Sequence, residues 1–203
     1  MLPQPPVALM PVRLDIGERR GPAILAGPES ARPAAVLVLI APADDSGGAG
    51  DADAEVILIR RVDRGGHPSG DDALPGGRFE DGDADAAAAA LREAAEEVGL
   101  DPVAAGVRLV GELETFWIPI SDYRVTPVLA IAGRRPDLTA SPDEVEAIVR
   151  APLAAFLPDA PIELVETEIR GFSLRFGAYA TSGVRVWGAT ARILGQVGAI
   201  LGS

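Results

Sequence analysis

The chain contains no cysteine and no lysine, a single histidine, and few aromatic residues. Without cysteine there is no disulfide, no thiolate metal site and no thiol nucleophile. All 18 basic residues are arginine. A P-loop NTPase, a protein kinase and a pyridoxal Schiff-base enzyme each depend on a lysine, so all three classes are excluded. The bias toward Arg, Ala, Gly and Pro matches GC-rich codons, which leaves that exclusion unchanged. No apolar run approaches the ~20 residues that cross a bilayer. The opening stretch, MLPQPPVALMP, has no basic leader region and is broken by prolines. A cytoplasmic protein is expected. Positive charge is scarce as well: 18 basic against 30 acidic residues leave a net charge of −12. Nucleic acid and anionic membranes are bound by basic patches, so neither is an expected partner. A polyanionic substrate is compatible with this charge only where cations intervene.

What is present suffices for one α/β domain with a real core. Residues 1–33 are Pro-rich and read as an irregular N-terminal extension that wraps the domain or mediates a dimer contact, with a short element between Val12 and Ala26. Residues 34–203 read as the domain itself. Branched apolar runs predict strands over Ala34–Ala41, Glu55–Arg60, Leu74–Phe79, Val107–Trp117, Tyr123–Ala132 and Asp143–Ala151. A short helix is expected at Leu153–Leu157, a hairpin of Ile162–Ile169 and Phe172–Ala180 around Gly171, and a last strand at Val184–Trp187. The period of Ile193, Leu194, Val197, Ile200 and Leu201 predicts a closing helix over Ala189–Leu201. One mixed sheet flanked by helices is the economical arrangement.

The densest chemistry lies in Leu74–Leu100, LPGGRFEDGDADAAAAALREAAEEVGL. Pro75-Gly76-Gly77 reads as a turn. From about Ala84 to Val98 the pattern is helical, with Leu91, Ala94, Ala95 and Val98 as the apolar stripe and Gly99 as its C-terminal stop. Glu93 and Glu97 share a face and repel, with Glu96 beside them. Carboxylates held side by side without a compensating cation suit a hard divalent ion.

This stretch resembles the Nudix box, the signature of the Nudix hydrolases. Gly77 opens the pattern, and Arg92-Glu93-Ala94-Ala95-Glu96-Glu97-Val98-Gly99-Leu100 closes it, with the small Ala94 at an apolar place. Asp83 stands where the family has its first Glu, and fourteen residues separate Gly77 from Arg92 where the general pattern has thirteen. The resemblance implies an α/β/α sandwich with a mixed sheet. It also implies a metal-dependent hydrolase of nucleoside diphosphate derivatives, using Mg²⁺ or Mn²⁺, and a homodimer. Glu93, Glu96 and Glu97 are then the metal ligands, with one of them or Glu144 as general base. Arg92 pairs with an acid near Glu80 or Asp83.

The longer spacing resembles the coenzyme A diphosphatase branch of that family. So do Tyr123-Arg124-Val125-Thr126-Pro127-Val128, Ser141-Pro142-Asp143-Glu144-Val145 and Val186-Trp187-Gly188-Ala189-Thr190-Ala191. The branch's second signature departs here. Arg60, His67 and the glycines are recognisable, but one residue is inserted and Asp71 and Asp72 have entered. Substrate contacts are expected from Arg60, Arg61, His67, Gly76 and Gly77. Phe116, Trp117 and Tyr123 are candidates to stack a base, with core packing as their other use. Coenzyme A or a derivative is the first substrate reading. ADP-ribose, a nucleotide sugar or another dinucleotide is the second, and a catalytically silent ligand-binding module the third.

Overall fold

The run RPAAVLVLIAP forms an eleven-residue strand, Arg32–Pro42, inside an eight-stranded sheet in the computed structural model. The structure describes residues 2–14, 27–44, 54–62, 72–119, 121–169, 171–181 and 183–203. In chain order the strands are β1 (Val12–Arg13), β2 (Arg32–Pro42), β3 (Ala54–Arg61), β4 (Asp72–Ala73), β5 (Gly76–Arg78) and β6 (Val107–Glu112). They continue with β7 (Phe116–Ile118), β8 (Tyr123–Ala132), β9 (Val145–Pro152), β10 (Ile162–Ile169), β11 (Phe172–Thr181) and β12 (Val184–Trp187). Among the described residues the helices are α1 (Ala86–Val98) and α2 (Gly188–Leu201), with single 3-10 turns at Val7–Leu9 and Leu153–Phe156.

Strand β2 runs parallel to β8, from Arg32 opposite Tyr123 to Ile40 opposite Ile131, and antiparallel to β3 and β5. Parallel neighbours need a long crossover and are covered on both faces. Successive β2 residues therefore serve two cores. Ala35, Leu37 and Leu39 join Ile57, Ile59 and Val128 beneath the alanine face of α1. Val38 joins Val56, Leu58 and Phe116 beneath Ile193, Leu194 and Val197 of α2. This is the α/β sandwich expected, with α1 and α2 as its outer layers. Among the described residues no helix is long and apolar enough to cross a membrane.

Four expectations are corrected. The strands form two sheets rather than one: β10, β11, β12 and β1 make a separate four-stranded antiparallel sheet. Strand β11 takes β10 along one edge and both β1 and β12 along the other, so its partners all lie outside the main sheet. Val107–Trp117 is two strands: pairing with β8 runs through a register shift between Leu109 and Gly111 to Glu112, and resumes only at Phe116. The turn expected at Pro75-Gly76-Gly77 gives way to the strand expected over Leu74–Phe79: Gly76, Gly77 and Arg78 pair with Ala34–Val36. Finally, Ala95 is exposed while Glu97 is buried. The buried face of α1 is centred on Ala86, Ala90 and Ala94, so Glu97 takes the inward position expected of Ala95. In the N-terminal segment Leu9 is buried in the α2 core and Val12–Arg13 pairs with β11. His67, residues 45–53 and residues 15–26 of the Val12–Ala26 segment lie outside the described residues.

Candidate active site

Helix α1 is fixed at both ends. The Asp85 carboxylate accepts the Ala88 N–H at 2.8 Å, and Gly99, with φ 64°, donates back to Ala94 and Ala95. Strand β5 lies along its C-terminal half. Gly76 has φ 149°, and a Cβ there would strike the Ala35 carbonyl and the Val36 backbone. A Cβ on Gly77 would strike the Glu93 carboxylate. Both positions are thus closed to side chains, Gly76 by the strand and Gly77 by an acid.

Glu97 is 3% exposed. Its Oε2 accepts the Gly76 N–H at 2.8 Å, and its Oε1 accepts from Arg61 Nη2 at 3.1 Å. The same Arg61 nitrogen donates to the Gly76 carbonyl at 2.7 Å. Burial pushes the Glu97 carboxyl up to about 7; Arg61 and the Gly76 amide oppose this, while Glu93 and Glu144 add to it. Burial also raises Glu93, against the pull of Arg92. Glu96 is exposed and accepts from Arg92 Nη1 at 3.0 Å. Among the described residues no three acidic or histidine side chains converge as a preformed cation cluster. The donor set nevertheless fits a hard cation. Two carboxylates, one of them buried, flank a glycine pair that leaves no Cβ between them and the backbone.

Arg92 ties the loop to the helix. It grips Asp83 with two parallel bonds, Nε to Oδ1 and Nη2 to Oδ2, each 3.1 Å, and donates to the Arg78 carbonyl at 3.0 Å. Asp83 in turn accepts the Glu80 N–H at 2.8 Å. The Arg92 guanidinium holds the Asp83 carboxyl below its usual range, helped by the Glu80 amide. Asp83 therefore serves where a longer Glu was the pattern's residue.

Arg60 points elsewhere. Its Nε and Nη2 bind Asp72 Oδ1 at 3.1 and 2.8 Å, and Nη2 also reaches the Gly183 carbonyl at 3.2 Å. Asp72, 2% exposed, also accepts the Arg185 N–H at 3.0 Å. This pair joins β3, β4 and β12.

Residues 31–168 match the NUDIX domain family. The chain belongs to the Nudix hydrolase family. It is 39% identical over 169 residues to Nudix hydrolase 22, chloroplastic, of Arabidopsis thaliana, covering 79% of this chain and 52% of that one. It is 40% identical over 136 residues to the uncharacterized Nudix hydrolase NudL of Escherichia coli (strain K12), covering 66% and 68%. The chain spans about half the length of the Arabidopsis relatives it matches. A MutT/nudix family protein from Enterococcus faecalis shares the fold, at 19% identity, with a TM-score of 0.50 over 85% of this chain and 62% of that one.

In this Nudix domain the structure brings Glu93, Glu97, Gly76, Gly77 and Arg61 together, with Glu96 and Arg92 on the adjoining turn. Arg60 lies with Asp72 instead. The aromatic candidates are engaged: Phe116 lies beneath the Arg192 guanidinium at 4.1 Å, Trp117 donates to Asp122 at 3.0 Å, and Tyr123 sits beneath Arg32 at 4.3 Å. Two relationships escaped the sequence. One is the Arg60–Asp72 pair, whose only signal was an acid entering the altered loop. The other is the double grip of Arg61 on Gly76 and Glu97, which joins residues 36 apart in the chain.

Proposed function

We propose that this Nudix domain is a metal-dependent diphosphatase that hydrolyses coenzyme A or its derivatives to 3′,5′-ADP and 4′-phosphopantetheine. The observation carrying the hydrolase reading is the buried Glu97 carboxylate, bonded to Gly76 and neighboured by Glu93 across the glycine pair. Diphosphates are inert because their negative oxygens repel hydroxide, so a catalyst must neutralise charge and place a water in line. Glu93, Glu96 and Glu97 would hold Mg²⁺ or Mn²⁺, which supplies charge neutralisation and a more acidic bound water. Without metal, burial holds the Glu97 carboxyl up at about 7; a bound cation would favour its ionised form. Arg92 keeps α1 and the Gly76–Gly77 strand in register through Asp83 and Arg78. Arg61, more than half exposed beside Glu97, suits a substrate phosphate, with His67 as a further contact. The coenzyme A assignment draws on the resemblance of the Tyr123–Val128 and Val186–Ala191 segments.

A second reading, hydrolysis of ADP-ribose, a nucleotide sugar or another dinucleotide, draws support from Asp72. Its carboxylate neutralises Arg60 in the loop where the coenzyme A signature departs, leaving one fewer free cation for a 3′-phosphate. The discriminating experiment incubates the protein and Mg²⁺ or Mn²⁺ with coenzyme A, ADP-ribose, NADH and diadenosine polyphosphates, with product masses as readout. 4′-Phosphopantetheine from coenzyme A supports the first reading. Cleavage of ADP-ribose alone supports the second. No cleavage of any compound returns the domain to a silent binding module.

A further inference from the structure

The nitrogen that occupies the buried oxygens of this site belongs to the chain itself. Arg61 Nη2 sits between the Gly76 carbonyl, at 2.7 Å, and Glu97 Oε1, at 3.1 Å. A carbonyl oxygen and a carboxylate oxygen converging on one point are the donors a hard divalent cation takes. The other carboxylate oxygen of Glu97 is already bonded to the Gly76 N–H. Oε1 is therefore the oxygen left for a cation, and Arg61 covers it. Arg61 is built to leave. Its side chain is 56% exposed against 3% for Glu97, and its other guanidinium nitrogens make no hydrogen bond among the described residues. The long stem can swing into solvent without opening the core.

We infer that Arg61 is a resident counter-cation of the Glu97 site. It holds the carboxylate and the Gly76 strand in place when no metal is bound, and a divalent cation must displace it to reach Glu97 Oε1. Nη2 stands at the point a cation bonded to both oxygens would take, and like charges repel there. Displacement turns the guanidinium outward, where an anionic phosphate is its natural partner. Metal entry and substrate capture then use one side chain in two positions. Arg61 is a positioning residue in this scheme, not a metal ligand. The inference rests on the reading of Glu97 as a metal-holding residue.

The test is calorimetric titration of Mg²⁺ into wild type, Arg61→Gln and Arg61→Lys, without substrate, all at pH 8.5. Arg61→Gln, at a half-exposed side chain, is expected to bind Mg²⁺ about tenfold more tightly than wild type, because one competing charge has gone. Arg61→Lys retains the charge and is expected to stay near wild type. Thermal melts of the three proteins establish that each is folded, and Arg61→Lys supplies the comparison if Arg61→Gln is not. In that case Arg61→Met is titrated in its place, with tighter Mg²⁺ binding than Arg61→Lys expected and equal or weaker binding overturning the inference. Equal or weaker Mg²⁺ binding by folded Arg61→Gln, with clear binding by wild type, overturns the inference and leaves the metal reading intact. No Mg²⁺ binding by any of the three overturns both.

Discussion

Glu97 Oε2 accepts the Gly76 N–H at 2.8 Å, which locks a helix carboxylate onto the strand that precedes it by 21 residues. The bond fixes where one acidic group of α1 stands relative to the glycine pair, and it does so inside the core rather than at the surface.

That burial has a pH signature. The folded pKa of Glu97, about 7, lies above its ordinary value of 4.5. Between those values the folded state holds a proton that the unfolded state has released. Stability in EDTA therefore falls as pH rises through this window, by about 3 kcal/mol for the full shift, and levels above it. Glu97→Gln carries no such proton, so its stability relative to wild type should be greater at pH 8 than at pH 5. Urea melts of both proteins at the two pH values measure this. A relative stability independent of pH contradicts the burial-driven shift.

Gly77→Ala places a methyl group against the Glu93 carboxylate. The neighbouring helix is held by its cap and by Arg92, so the acid must turn away. The expected cost is roughly 1–3 kcal/mol in stability and about a tenfold loss of kcat or more from the misplaced carboxylate. Steady-state kinetics with a melting curve test it, and unchanged kcat argues against Glu93 acting beside Gly77.

Asp72→Ala leaves Arg60 without its carboxylate and the Arg185 N–H without an acceptor. Arg60 is part-exposed and can recover some hydration, so the expected loss is about 2 kcal/mol rather than the full figure for a buried pair. Because Arg60 is freed, a substrate carrying an extra phosphate should gain relative to one without. Denaturant unfolding measures the first effect. The ratio of kcat/KM for coenzyme A to that for its form lacking the 3′-phosphate measures the second, and an unchanged ratio contradicts a role for Asp72 in setting phosphate preference.

Asp83→Ala should release Arg92 from the loop while leaving α1 folded. The expected result is a fall in kcat of about tenfold, since the carboxylates lose their fixed placement but remain present. Asp83→Glu should recover part of it. Full activity in Asp83→Ala would show that the double bond to Arg92 does not position the site.

Much of the frame was legible because its signals are local. The β2 run, the Tyr123–Ala132 strand and the closing helix each announce themselves through branched residues or a 3.6 period. The acidic trio on α1 was legible through its spacing. What was hidden depends on pairing between distant segments. Nothing in the alternation of Phe172–Thr181 says that it will pair with Val12–Arg13 and leave the main sheet. The stripe drawn through Ala95 failed because a helix of many alanines has no steep apolar contrast, so packing rather than hydropathy chose its inner face. That choice buried Glu97, the one inward residue that hydropathy would have sent to solvent. Arg60 and Arg61 are sequence neighbours, yet strand alternation sends one to Asp72 and the other to Glu97.

The most direct measurement is the turnover of coenzyme A, with Mg²⁺, by wild type and by Glu97→Gln. Wild type is expected to yield 4′-phosphopantetheine and 3′,5′-ADP. The variant is expected to keep its fold by circular dichroism while kcat falls by at least ~100-fold, because a residue acting on the transition state has been removed. Turnover by folded Glu97→Gln at the wild-type rate would contradict the assignment of the site.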